Sequence, residues 1–228
     1  MMLPLTVSLL GTIDYQEALH LQERLLKLRQ QGTINDVLLL LEHPPTLTLG
    51  LKADGSNIIA PQEALKARGV QVFKVNRGGD VTYHGPGQIV GYPILDLKGF
   101  GRDVPGYFRR IEETFIQLMQ KEYGIQAGRN AKYPGVWVGD DKITAIGCSL
   151  KRWVTMHGFA FNVNTDLDHF QWIHPCGISD KGVTSLHKIV GCPQNLAVVH
   201  EQVIKYFCAA FDVEPQIIDT ETLFQMAG

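Results

Sequence analysis

The hydrophobic positions of the chain follow two spacings, one typical of helices and one typical of strands. Residues Asp14–Gln31 place alanine and leucine at helical spacing, with Asp14 as a candidate N-cap and Gly32 as a stop signal. The continuous apolar run Asp36–Glu42 has the length of a buried strand. The same patterns predict strands at Leu3–Leu10, Thr46–Leu49, Val70–Val75, Gln88–Leu97, Val136–Val138, Lys142–Leu150 and Thr155–Val163, and helices at Pro61–Arg68, Val104–Tyr123 and Asn195–Phe211.

The order of these segments predicts the fold class. Strands and helices follow one another without a regular strand–helix–strand alternation. This order favours an α+β fold, with a mixed, largely antiparallel sheet flanked by helices, over a doubly wound parallel sheet. We find no internal repeat and no low-complexity linker, and 228 residues suit one large domain or two small ones.

Composition excludes several classes of protein. A net charge of −2 with 45% hydrophobic residues argues against a disordered chain, a nucleic-acid binder and a polybasic membrane-surface protein. No apolar stretch approaches the ~18–20 residues of a membrane span, and the start of the chain lacks the features of a signal peptide. Four scattered cysteines indicate free thiols, so we expect a cytoplasmic protein. An organellar copy without its transit peptide would look the same.

The densest group of glycine and polar residues is the segment Arg77–Gln88, which has the sequence RGGDVTYHGPGQ. Its four glycines allow tight bends and a close approach of the backbone to a ligand. Arg77 is a candidate for anion binding, and His84 is a candidate for anion binding or proton transfer. The segment matches neither a P-loop nor the dinucleotide-binding glycine pattern. A glycine-rich turn carrying one surface arginine is the alternative interpretation.

A second unusual segment, His174–Ile178, places Cys176 between a proline and a glycine. A sharp turn gives the exposure that a nucleophilic thiol needs, whereas a half-buried structural thiol is the alternative. The other three cysteines are expected to be structural. His169, His174, Cys176 and His187 together suggest zinc, but their spacings match no common zinc pattern, so we predict no metal.

With both segments in view, the sequence resembles the lipoyl(octanoyl) transferase family of lipoate biosynthesis. The family pattern RGG-x-VTYHGPGQ stands at Arg77–Gln88, and its lysine motif matches GVWVGDDKITAIG at Gly135–Gly147. The strand HGFAFNVNTDL at His157–Leu167 and the cysteine motif at His174–Leu186 follow in the family's order. The resemblance covers about residues 10–210, while Asp80 occupies a position that varies in the family.

The resemblance implies a single catalytic domain over residues 1–228, with the fold of the lipoate and biotin protein ligases. It implies transfer of an octanoyl group from acyl-carrier protein to a lysine of lipoyl domains, in 2-oxoacid dehydrogenase E2 subunits and glycine cleavage H protein. No ATP, metal or other cofactor is expected, and neither nucleic acid nor membrane is a partner. Cys176 is implied as the acyl-accepting nucleophile and Lys142 as its partner. The implied substrate-binding residues are Arg77, Gly78, Gly79, Asp80, Val81, Thr82, Tyr83, His84, Ala145, Ile146, Gly147, Gly158, Phe159 and Ala160.

Other functions and one further surface stay open at this stage. An ATP-dependent ligase on the same fold, a catalytically silent binding module for lipoyl or carrier domains, and a zinc-dependent hydrolase are the alternatives. Lys142 by itself fits a solvent-exposed lysine in a hairpin turn, and only the resemblance gives it a catalytic role. Arg77, Lys151 and Arg152 are candidates for a basic patch that docks the acidic carrier protein.

Overall fold

The apolar run at residues 36–42 becomes a buried strand of a large mixed sheet in the computed structural model, which describes residues 2–174 and 181–228. Its strands are β1 Leu3–Thr12, β2 Asp36–Glu42, β6 Gln88–Ile94, β7 Gly128–Arg129, β8 Gly135–Val138, β9 Asp141–Lys151, β10 Val154–Asn162, β11 Gly182–Val183 and β12 Val213–Ile217. They lie in the order β12-β1-β2-β6-β10-β9-β8-β7, and β11 pairs with β9. The run from β2 to β7 is antiparallel throughout, whereas β12, β1 and β2 are mutually parallel.

Helices cover both faces of the large sheet because its central strands are apolar on both sides. The helices are α1 Tyr15–Gln31, α2 Gln62–Ala67, α3 Val104–Tyr123, α4 Leu186–Val190, α5 Leu196–Phe211 and α6 Thr220–Ala227, and short 3-10 helices span Leu97–Phe100 and Leu167–Trp172. Leu38 and Leu40 of β2 belong to the hydrophobic core shared with two long helices, α3 and α5. Leu39 and Leu41 belong to the opposite core, which contains residues of α1 and α6.

A small second sheet lies beside the large one. It consists of β4 Gln71–Lys74, β3 Thr46–Leu49 and β5 Val81–His84, with β3 in the centre. One side of this sheet packs on a third hydrophobic core, built from α2 and the 3-10 helix at Leu167–Trp172. Strand β5 belongs to the glycine-rich segment, so through this core the segment packs against the residues that precede the cysteine motif.

The structure confirms the predicted fold class, and most predicted elements agree with it to within a few residues. Two predictions were incomplete. The segment Arg77–Gln88 is only partly a loop, since its residues Val81–His84 pair with β3 as a strand. The helix that we predicted to close the chain is followed by β12 and α6, and β12 pairs with β1 at the edge of the large sheet. Among residues 2–174 and 181–228, no helix has both the length and the apolarity to cross a bilayer.

Candidate active site

A cavity of about 390 Å³ lies where the glycine-rich segment faces strands β9 and β10. Its size is at the lower end of the range for small-ligand pockets. Most residues implied by the family resemblance line it, although they come from three separate segments. These lining residues are Arg77, Gly78, Gly79, Asp80, Thr82, His84, Lys142, Ala145, Ile146, Gly147, Gly158, Phe159 and Ala160.

Val81 and Tyr83 are the described members of the implied set that do not line the cavity. Successive side chains of a strand point to opposite faces, so Thr82 and His84 face the cavity while Val81 and Tyr83 face away. Both outward-facing side chains are 1% exposed and belong to the third hydrophobic core. The expected role of these two residues in substrate binding stays a prediction, and no contact with the cavity supports it.

Glycines allow the strands around the cavity to pack closely. A Cβ atom at Gly158 would lie 2.3 Å from the carbonyl oxygen of Gly91, a backbone atom that has no room to move. A Cβ atom at Gly147 would lie 3.0 Å from the carbonyl oxygen of Gly78. The amide of Gly78 in turn donates a hydrogen bond of 2.9 Å to the carbonyl of Cys148. The glycine-rich segment is therefore held directly against β9.

Arg77 is 8% exposed, and its guanidinium group organises the protein backbone. It donates hydrogen bonds to the carbonyl oxygen of Thr48 at 2.6 Å and to that of Gly78 at 3.0 Å. The alternative of a turn with one surface arginine is therefore wrong, and so is the candidacy of Arg77 for a surface docking patch. Lys151 and Arg152 are exposed, and both remain candidates for that patch.

A cluster of buried aromatic and imidazole rings borders the cavity. The His43 imidazole hydrogen-bonds the hydroxyl of Tyr92 at 2.8 Å, and the rings of His43 and His84 are 5.8 Å apart. Nδ1 of His84 lies 2.9 Å from Oε1 of Gln88, and Nε2 of His157 lies 2.7 Å from Oδ1 of Asn76. Both His84 and His157 are therefore buried and hydrogen-bonded to protein groups.

Burial lowers the pKa of these three histidines, because it disfavours the charged imidazolium. The pKa falls from 6.5 to about 4 for His43, to about 3 for His84 and to about 4 for His157. Burial also raises the pKa of the neighbouring Tyr15 to about 12. At neutral pH the cluster therefore offers neutral hydrogen-bonding groups, with Arg77 as a cation among them.

This cluster predicts how the free energy of unfolding depends on pH. Below about pH 6.5 the unfolded chain protonates its histidines, whereas the folded chain keeps these three neutral until about pH 4 or lower. The contribution of these histidines to the free energy of unfolding should therefore be complete above pH 6.5. As the pH drops below that value, the free energy of unfolding should fall by about 1.4 kcal/mol per pH unit for each of the three histidines. Urea unfolding across pH 4–7 measures this slope.

Two variants separate the cluster from other titrating groups. Replacing buried His43 (His43→Gln) should reduce the slope of the free energy of unfolding against pH by the contribution of one histidine, about 1.4 kcal/mol per pH unit, since an amide does not titrate in this range. The same replacement at His20, an exposed residue of α1, should leave the slope as it is in the original chain. Equal slopes in all three proteins would contradict the assignment of a neutral buried histidine.

Lys142 stands near the start of β9, directly after the predicted hairpin turn, and its side chain lines the cavity. Its Nζ atom lies 4.9 Å from the centre of the Trp137 ring, a distance suited to a cation–π contact. In the strand pairing Val183 of β11 lies opposite Lys142, and the amide of Thr184 donates to the Lys142 carbonyl. The interpretation of Lys142 as an ordinary solvent-exposed lysine therefore does not describe its surroundings.

Cys176 lies outside the described residues, so its predicted role remains a prediction. The three described cysteines have free thiols. Burial raises the pKa of Cys148, which lines the cavity, to about 12, and that of Cys208 to about 11. Neither thiol forms the thiolate readily at neutral pH, which agrees with a structural role. Cys192 is exposed in the loop after α4.

Sequence reasoning missed several residues that line the cavity. Tyr15 and Tyr92 come from elements whose patterns indicated only core packing, and Phe108 belongs to the apolar stripe of α3. Lys52 and Lys132 are exposed at the cavity and lie in loops without a motif. Among residues 2–174 and 181–228, no group of three potential ligands is arranged to hold a metal ion.

Comparison with known proteins is consistent with this geometry. The family model described as the lipoyl protein ligase A/B catalytic domain matches residues 14–211. An octanoyltransferase of Desulforamulus reducens is 61% identical over 224 residues, which is 98% of each chain. An octanoyltransferase of Caldicellulosiruptor saccharolyticus is 53% identical over 220 residues, covering 96% of this chain and 94% of that one.

A solved structure shows the same fold at lower sequence identity. It is a bi-partite lipoate protein ligase studied with its E2 lipoyl domain from Thermoplasma acidophilum, and it is 16% identical to this chain with a TM-score of 0.74. The alignment covers 99% of this chain and 91% of that one. The chain therefore belongs to the octanoyltransferases, acyltransferases of protein lipoylation within the lipoyl protein ligase A/B catalytic domain family.

Proposed function

We propose that the chain transfers octanoyl from the phosphopantetheine thioester of acyl-carrier protein to a lysine amine of a lipoyl domain, through an acyl thioester on Cys176. One observation carries the proposal: the described chain on both sides of Cys176 is fastened next to cavity residues. On one side, His174 donates its amide to the Asn57 carbonyl, and the Asn57 side chain bonds Asp80 of the cavity. On the other side, Val183 pairs with Lys142.

In the first step the Cys176 thiolate attacks the donor thioester carbonyl. A new sulfur–carbon bond forms, and the pantetheine thiolate leaves and takes up a proton. One thioester is exchanged for another of nearly equal energy, so the step needs no ATP. A free thiol with a pKa of about 8.5 is only a few per cent thiolate at pH 7, and a nearby lysine ammonium favours the reactive form.

In the second step the acceptor lysine attacks the acyl-enzyme, so that an amide forms and the Cys176 thiolate is released. An amide is more stable than a thioester, and the reaction therefore runs downhill. We assign two proton transfers to Lys142: its ammonium protonates the departing pantetheine thiolate, and the resulting amine takes a proton from the incoming lysine. Both transfers balance, because Lys142 ends each cycle in its starting form.

The cavity suits a short acyl chain beside these groups. Ala145, Ile146, Phe159 and Ala160 give it apolar walls formed by adjacent strands. The small side chains at residues 145 and 160 and the glycines of β9 and β10 leave the volume free. The members of the family's substrate-binding set that line the cavity are proposed on this basis, with Lys142 at the same cavity as the acyl chain.

The chemistry also bears on the proposed partners. Exposed Lys52 and Lys132 make the cavity margin cationic, which favours an acidic donor such as acyl-carrier protein. The structure from Thermoplasma acidophilum concerns a ligase and its E2 lipoyl domain, which supports E2 lipoyl domains of 2-oxoacid dehydrogenases as acceptors. The glycine cleavage H protein is proposed as a further acceptor on the family resemblance alone. We propose that transfer needs no metal or other cofactor and takes place in the cytoplasm.

A donor test separates this function from that of an ATP-dependent ligase. Purified enzyme should octanoylate a lipoyl domain from octanoyl acyl-carrier protein without ATP, and addition of ATP should not change the rate. Free octanoate with ATP should give no product above the rate without enzyme. Mass spectrometry of the lipoyl domain measures both reactions. Product from octanoate and ATP alone would contradict the proposal and favour the ligase.

A further inference from the structure

Tyr83 belongs to the glycine-rich segment of the catalytic motif, but its side chain points away from the cavity. Its ring packs edge-on against His169 at 5.1 Å, Phe170 at 5.5 Å and Trp172 at 5.9 Å. All three rings belong to the short helix Leu167–Trp172, which ends four residues before Cys176. Tyr83 is therefore surrounded by the segment that leads into the nucleophile.

A hydrogen bond between the Tyr83 hydroxyl and His169 accompanies this ring packing. The Tyr83 hydroxyl lies 2.7 Å from Nδ1 of His169, and Nε2 of His169 lies 3.6 Å from the carboxylate of Asp166. Burial and the charge of Asp166 raise the pKa of Tyr83, so its hydroxyl keeps its proton and acts as the donor. We assign the His169 tautomer that accepts at Nδ1 and directs its Nε2 proton toward Asp166.

A second connection starts from the same segment of the motif. Asp80 accepts a hydrogen bond of 2.5 Å from the side-chain amide of Asn57, and the Asn57 carbonyl accepts one of 2.8 Å from the His174 amide. The carbonyl of Trp172 accepts from the amides of Ile59 and Ala60. The chain is thus held at residue 174, two positions before Cys176, as well as at residue 169.

We propose that Tyr83 and Asp80 are positioning residues, which hold the segment Leu167–His174 that leads into Cys176 and thereby support the reactivity of its thiol. The inference rests on the proposed role of Cys176. It extends that role to Tyr83, whose side chain does not line the cavity, and gives Asp80 a second role beside its place in the cavity. It also explains why the motif contains a tyrosine on the face of β5 opposite the cavity. An error of about 1 Å in the position of a reacting group can cost a large factor in rate.

The test compares Tyr83→Phe with the original enzyme, since this change removes only the hydroxyl. Single-turnover formation of the acyl-enzyme from octanoyl acyl-carrier protein should slow by about three- to tenfold, the effect of losing one buried hydrogen bond. Alkylation of Cys176 by iodoacetamide at pH 7 should slow by a similar factor, whereas KM for the donor should not change. Peptide mapping separates the cysteines, and exposed Cys192 serves as the internal reference.

Three further variants make the result specific. Tyr123→Phe removes a hydroxyl that bonds Gln202 on the far helices, and it should react as the original enzyme does. His169→Ala removes the same bond together with the ring contacts of His169, so it should slow acylation at least as much as Tyr83→Phe does. Adding Tyr83→Phe to it should slow acylation no further, because the bond is already absent. Asn57→Ala removes the side-chain bond to Asp80 in the second connection and should also slow acylation.

The outcomes distinguish the inference from the proposed function. Acylation and alkylation of Tyr83→Phe at the original rates would overturn the positioning role and leave the function intact. An equal fall in the acylation rate of Tyr123→Phe would overturn the positioning role as well. So would a Tyr83→Phe variant in which KM rises and the acylation rate does not change. Absence of any acyl-enzyme with the original chain would overturn the function and the positioning role together. The proposal is supported when Cys176 reactivity falls while that of Cys192 stays constant.

Discussion

Replacement of the proposed nucleophile (Cys176→Ser) is expected to lower octanoyl transfer by at least about a thousandfold. A serine hydroxyl is a weak nucleophile at neutral pH unless an adjacent base removes its proton. The proposed lysine ammonium stabilises a thiolate but does not ionise a hydroxyl. Intact-mass measurement after incubation with octanoyl acyl-carrier protein should show one added octanoyl group on the original chain and none on the variant. Hydroxylamine should remove that group, because thioesters are labile to it.

The matched control is Cys192→Ser, which makes the same change at an exposed loop position. It should acquire the octanoyl group and turn over as the original enzyme does. Turnover of Cys176→Ser at the original rate would contradict the nucleophile assignment. Absence of an acyl-enzyme on the original chain would instead favour the binding module or a direct transfer without an intermediate.

Local patterns were enough to predict most of the fold. The alternation in Thr155–Val163 and the unbroken apolar run Asp36–Glu42 both have strand spacing, so spacing alone locates these strands. Burial is less predictable, because alternation is typical of a strand buried on one face, whereas β10 is buried at every position. The end of the chain was different. The β12 strand Val213–Ile217 contains a proline and exposes most of its residues at the sheet edge, so no hydrophobic pattern marks it. Its pairing with β1 is a long-range contact that no local signal encodes.

Sequence patterns predicted the candidate site only in part, for a similar reason. Glycines in the segment Arg77–Gln88 indicated a close approach of the backbone to a ligand, which stays a prediction. The close approach that the structure has is between Gly78 and Cys148 of β9. The direction of each side chain was not predictable, because the segment resembled a loop and its strand β5 depends on pairing with β3. Tyr83 and Thr82 therefore received the same role from sequence, although they point to opposite faces. For Arg77 the sequence left substrate binding and a surface position both open, because the acceptor that buries its guanidinium group, the Thr48 carbonyl, lies 29 positions away.

Removal of the lysine (Lys142→Ala) is expected to lower transfer by about a hundred- to ten-thousandfold, the usual contribution of a general acid–base group. Lys142 lines the same cavity as strands β9 and β10, where we propose that the acyl chain binds, and the proposed mechanism requires its side chain next to both the thiol and the leaving group. Without its ammonium, Cys176 should behave as an ordinary thiol, and its alkylation rate should rise only as the pH approaches about 8.5. The pH dependence of acylation and of iodoacetamide labelling measures this change.

A charge-conserving variant separates the two proposed roles of the lysine. An arginine (Lys142→Arg) keeps the positive charge but does not release a proton at any working pH. Its thiol should therefore remain reactive at pH 7, while transfer to the lipoyl-domain lysine stays slow for lack of a base. Lys66→Ala, at an exposed position of α2, should leave both rates unchanged. If Lys142→Ala keeps the pH–rate profile of the original enzyme, Lys142 does not tune the thiol. If Lys142→Arg restores full transfer, its charge alone accounts for its role.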